Sequence, residues 1–189
     1  VLSFREVIAK SSNVGTIKTA LRISNRDFYD TIRSFGFGRQ SGIDLPGLPV
    51  DALRAEVDAA MRRPEAAGAL LVFTCQRGAG LGPRPPAGVI AFGLPCAAML
   101  PPSFIEYGLR AGAAGVVVVA CPEGDCEYRF GVRWTDERVA GAREPRLRGG
   151  VDRARVAVLH AAREQRATLE EQITAFGARL AATAGASGA

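Results

Sequence analysis

Gly115-Val-Val-Val-Val-Ala-Cys121 is the stretch on which the fold turns. Val116–Ala120 is an unbroken apolar run of mostly β-branched residues, and it predicts a strand buried on both faces. Three further runs accompany it, Leu70–Cys75, Val89–Phe92 and Val156–His160. Helical patterns separate them over Pro102–Ala111 and Trp134–Arg143. Leu169, Ile173, Phe176 and Leu180 then mark an amphipathic final helix. Continuous apolar strands alternating with helices imply a parallel sheet covered on both sides. Thr183–Ala189 are mostly small residues and are expected to fray.

Upstream of the first strand the texture differs. Val14, Ile17 and Leu21 place a helix over Ser12–Ile23. Phe28, Ile32 and Phe35 place a second, stopped by Gly36. Gly38–Gly47 reads as a Gly/Pro-rich loop, and Leu53, Val57 and Met61 mark a third helix closed by Pro64. The expectation is a small α/β domain preceded by a helical segment.

The 189 residues are 48% hydrophobic and 23% charged, which excludes a disordered tail. No apolar run approaches the roughly 20 residues that span a bilayer. Arg5, Glu6, Lys10 and Lys18 interrupt any signal-peptide core, so a cytoplasmic location is expected. The net charge is +5. Eight arginines fall between Arg129 and Arg155, interleaved with Asp136, Glu137, Glu144 and Asp152. With Trp134 as the single aromatic platform near them, this stretch reads as a solvated face or a site for an acidic protein, not for nucleic acid.

The chain has four cysteines, Cys75, Cys96, Cys121 and Cys126. The first three fall at or just past the C-terminal ends of predicted strands. In a parallel sheet those ends share one edge, where open α/β folds bind ligands. Cys121 and Cys126 form C-x4-C around the turn Pro122-Glu-Gly-Asp125. Asp125 is expected to accept backbone N–H bonds there. The spacing fits four buried reduced thiols, an iron–sulfur cluster or an all-cysteine zinc site. Structural zinc usually uses two short Cys pairs, whereas here two ligands arrive singly. Disulfides are disfavoured without an oxidising compartment.

Ala120-Cys-Pro-Glu-Gly-Asp-Cys-Glu-Tyr128, followed by Gly131, resembles the G-C-x-x-G-D-C-H-Y-x-x-G signature of the methyl-viologen-reducing hydrogenase delta subunit family. The resemblance runs from about Leu70 to Ala181. It takes in Cys96 ahead of Pro102-Ser-Phe-Ile105 and the strand entry Ala111–Val119. It implies an α/β electron-transfer module with a [2Fe–2S] cluster on Cys75, Cys96, Cys121 and Cys126. It also implies two partners, a hydrogenase or other dehydrogenase and a heterodisulfide-reductase-like flavoprotein. Two positions depart from the family pattern. Gly78 stands where the first cysteine's C-x-x-C partner is usual, and Glu127 replaces the signature His.

Residues 1–48 resemble something else. Ala9-Lys-Ser-Ser-Asn-Val-Gly15 and Phe35-Gly-Phe-Gly-Arg-Gln-Ser-Gly-Ile-Asp-Leu-Pro-Gly47 are similar to the transpeptidase domain of penicillin-binding proteins. Ser11-x-Asn13 matches that family's Ser-x-Asn element. Acyl transfer there also needs S-x-x-K and K-T-G. Lys10 and Lys18 are the only lysines; neither follows a Ser by three positions and Lys18-Thr-Ala20 is not K-T-G. Ser11 and Asn13 are therefore expected to be vestigial. Two unrelated resemblances meeting between Leu45 and Pro49 point to a joined reading frame before a functional fusion.

The fold expected is thus a small parallel sheet with flanking helices, Rossmann- or flavodoxin-like, over residues 49–189, after an incomplete transpeptidase-like fragment. His160, the sole histidine, ends a strand at the same sheet edge and is expected to be hydrogen-bonded there. Tyr128 and Trp134 are expected to pack against the following helix. The loop Arg77-Gly-Ala-Gly-Leu-Gly82 lacks a full dinucleotide fingerprint.

Overall fold

The computed structural model describes residues 2–37 and 49–186. The chain divides into two compact units, Val1–Leu45 and Pro46–Ala189. The expected Gly38–Gly47 loop lies outside the described residues.

The described residues of the first unit carry three helices, α1 (Phe4–Ala9), α2 (Asn13–Ala20) and α3 (Asn25–Ser34). Each begins at a serine. Ser3, Ser12 and Ser24 accept the backbone N–H groups of Glu6, Gly15 and Asp27, satisfying donors that a helix start leaves orphaned. The six-residue α1 was not foreseen, since it is too short to show a period. Val7 is buried against Gly15, where a Cβ would come within 2.6 Å of it. The expected helical faces form, but Val14, Ile17, Leu21, Phe28 and Phe35 on them are exposed.

The second unit opens with α4 (Val50–Met61), then β1 (Leu70–Cys75), β2 (Val89–Leu94), α5 (Pro102–Arg110), β3 (Gly115–Ala120), α6 (Gly131–Ala140), β4 (Val156–His160) and α7 (Arg166–Ala186). All four strands are parallel, in the order β2-β1-β3-β4. The α/β expectation holds. Several boundaries shift, most of them by one or two residues. Helix α6 starts three residues before Trp134, at a glycine of low helix propensity, and ends at Ala140 because Gly141 takes a left-handed cap (φ 90°). Helix α7 continues to Ala186, so Thr183–Ala186 do not fray as expected.

The strict alternation of a strand sorts the core into two layers. Leu71, Phe73 and Cys75 of β1, with Val116, Val118 and Ala120 of β3, face Leu53, Val57, Phe104, Ile105 and Val132 from α4, α5 and α6. Leu70, Val72, Val117 and Val119 face the opposite side, against Leu169, Ile173 and Phe176 of α7. Ala79 and Leu81 join that second layer. The Arg77–Gly82 stretch is therefore part of the packing, pinned where Ala79 N–H donates to Ala161 O and Arg166 donates to Leu81 O. Among the described residues no helix is long and apolar enough to cross a membrane.

Candidate metal centre

In this sheet β1 leads to β2 on one side and β3 lies on the other, so the chain's direction reverses between β1 and β3. Connections leaving the two strands diverge there and open a crevice at their C-terminal ends. Cys75 is the last residue of β1 and Cys121 follows β3 directly. Both are buried on the same face, and their Sγ atoms lie 3.4 Å apart.

The other two thiols enter from the flanks. Cys96 follows β2 and opens a 3₁₀ turn over Ala97–Met99, while Cys126 ends the turn that leaves β3. That turn is closed by Asp125 donating its backbone N–H to Pro122 O at 3.2 Å. Cys96 and Cys126 meet at Gly131, the first residue of α6. A Cβ built there would stand 2.9 Å from each sulfur. Only a residue without a side chain lets the helix start close over both thiols. Gly78 does the same after β1, where a Cβ would meet Ala161 O at 2.8 Å. A side chain has no room at that position on this backbone.

The four thiols form one electrostatic system. The Cys75 thiol is pulled from an ordinary 9.0 down to about 5, first because the Cys96 thiol donates to it, with help from the backbone N–H of Arg77 and from Cys121. Cys96 is pushed up, because it gives its hydrogen bond to Cys75 and is buried. Burial, then donation to Cys75, pushes Cys121 up to about 12. Ionisation is thus favoured at Cys75 and disfavoured at Cys96 and Cys121, and thiolate is the form of cysteine that ligates soft metals. The sulfurs do not already enclose a point. Among the described residues no group of three or more His, Cys, Asp or Glu stands arranged to hold a metal ion. The fit therefore rests on the all-sulfur donor set and on the space that Gly131 leaves.

His160 sits beyond the thiols at the end of β4, with Nε2 3.1 Å from Asp136 Oδ1 on α6. It is hydrogen-bonded, as expected. Tyr128 and Trp134 do not pack away as expected; both are exposed, and Trp134 stacks on Phe130. Arg138 was missed from the sequence. Its guanidinium donates to Ala98 O at 2.7 Å and so ties α6 to the turn that carries Cys96. In the first unit, Ser11 occupies the turn between α1 and α2 with φ 48°, and Asn13 is the first residue of α2.

Residues 83–183 match the family model described as methyl-viologen-reducing hydrogenase, delta subunit. Cys96, Cys121 and Cys126 lie inside that match, and Cys75 lies before it. Residues 1–57 match the model of the penicillin binding protein transpeptidase domain. The penicillin-binding proteins PbpB of Mycobacterium tuberculosis and of Mycolicibacterium smegmatis are each 46% identical to the chain over 41 residues, 22% of the chain. The chain spans only 6% of the length of these relatives.

Proposed function

Because the chain belongs, through residues 83–183, to the methyl-viologen-reducing hydrogenase delta subunit family, we propose that its second unit is an electron carrier. In this reading residues 49–189 form the carrier domain, and Cys75, Cys96, Cys121 and Cys126 hold a [2Fe–2S] cluster. The observation that carries it is the convergence of all four thiols on the β1/β3 crevice, with Cys75 and Cys121 3.4 Å apart and Cys96 and Cys126 sharing the space above Gly131.

A cluster bound there would supply one-electron chemistry at iron. The rest falls to the protein. Strands β1 and β3 fix the two central sulfurs, the Cys96 and Cys126 turns bring the flanking pair, and the apolar layer beneath keeps water out. No residue need act as acid, base or nucleophile. The electron partners proposed are a hydrogenase or other dehydrogenase and a heterodisulfide-reductase-like flavoprotein, in the cytoplasm. Residues 1–48 carry no transpeptidase role in this reading, since Ser11 and Asn13 lack a nucleophile beside them.

Chemical analysis after anaerobic reconstitution tests the reading. About two iron and two sulfide per chain are expected, with a brown visible spectrum. Stoichiometric zinc without iron or sulfide would overturn it in favour of a zinc-stabilised module.

A further inference from the structure

Among the described residues of the second unit, the exposed large apolar side chains are Val50, Tyr128, Phe130 and Trp134. The last three belong to one short stretch, the turn after Cys126 and the first turns of α6. Gly131, between them, is the position where a Cβ would stand 2.9 Å from the Cys96 and Cys126 sulfurs. Phe130 and Trp134 stack, with ring centroids 5.9 Å apart and planes 17° apart. Aromatic side chains held rigid by stacking and left partly exposed are what interface centres are made of.

The charges around the rings are predominantly positive. The guanidinium of Arg129 lies 5.5 Å from the Phe130 ring centre, and those of Arg138 and Arg143 lie 5.9 and 5.1 Å from that of Trp134. Glu137 is shared by Arg133 and Arg143. Glu127 is taken up by Arg77, while Asp136 is hydrogen-bonded with His160. Glu123 and Asp125 belong to the preceding turn, so the cation excess sits on the α6 side.

From this we infer that Phe130 and Trp134, rimmed by Arg129, Arg133 and Arg143, are the docking surface for an acidic redox protein that approaches the thiol crevice from the Cys126 side. The cationic rim steers an acidic partner and the stacked rings seat it. The inference rests on the electron-carrier reading above for its purpose, though the surface is defined without it.

Trp134 is the only tryptophan, so intrinsic tryptophan fluorescence of the full chain reports on this patch alone. At low ionic strength iodide should quench it several-fold more strongly than caesium. Equal quenching, or a preference for caesium, would contradict a cationic rim. The binding arm uses purified oxidised flavodoxin, an acidic flavoprotein, titrated calorimetrically into the reconstituted full chain. Binding should weaken about tenfold or more in Phe130→Ala/Trp134→Ala and in Arg129→Glu, while iron content and visible spectrum stay unchanged. Absence of binding at low salt, or equal binding by these variants, overturns the proposal. A chain that lacks iron but binds flavodoxin through this patch upholds the surface and refutes only the electron-carrier reading.

Discussion

A methyl group on residue 131 would stand 2.9 Å from the sulfurs of both Cys126 and Cys96. Gly131→Ala is therefore a test of the crevice at single-atom resolution. The added methyl must displace the two thiols or the buried start of α6, an overpacking that costs about 1–3 kcal/mol. Iron uptake on reconstitution should fall to less than about half that of the parent chain, because a cluster needs all its thiolates free to turn inward. Iron content beside far-UV circular dichroism separates the two effects, and full iron uptake would show that Gly131 is not part of the cradle. At this scale the cysteines were legible because each of three terminates a nearly apolar run, which fixes both strand and sheet edge. Gly131 and Arg138 were not. Their importance lies in what they approach across the fold, and no local pattern encodes that.

At the scale of elements, β1 and β3 decide where the thiols meet, and packing decides that β1 and β3 are adjacent. Leu71 is wholly buried on the layer beneath α4, α5 and α6, and α5 passes close over it at Gly108. Leu71→Ala should cost about 2–5 kcal/mol, by lost transfer free energy and the cavity left behind. Leu21→Ala, at a position 79% exposed in the first unit, should stay within about 0.5 kcal/mol. Urea unfolding of the full chain measures both, and similar values for the two would contradict the layering. The strands were readable because parallel strands buried on both faces make continuous apolar runs. The role of Arg77–Gly82 was hidden, because Ala79 and Leu81 are single apolar residues in a glycine-rich stretch, with no period to announce burial. Helix α1 escaped because its one buried residue, Val7, makes no stripe.

For the whole molecule, two family matches lie on a chain that folds into two units. The transpeptidase match extends to residue 57, past the expected boundary at 48 and into α4. Yet Leu53 and Val57 of that helix belong to the core beneath β1 and β3. The transpeptidase match thus ends inside a helix that the second unit uses for its own packing, and the hydrogenase match begins at residue 83. The first unit keeps Ser11-x-Asn13 without S-x-x-K or K-T-G. A fluorescent penicillin should therefore leave no covalent label on the full chain, and a labelled band on a denaturing gel would contradict this. In the proposed centre, four sulfurs from three strand ends act as one ligand set. Iron K-edge X-ray absorption of the anaerobically reconstituted full chain addresses it most directly. Iron surrounded by sulfur alone, with a second iron as near neighbour, is expected. Iron bound mainly through oxygen or nitrogen, or single iron atoms without an iron neighbour, would contradict it.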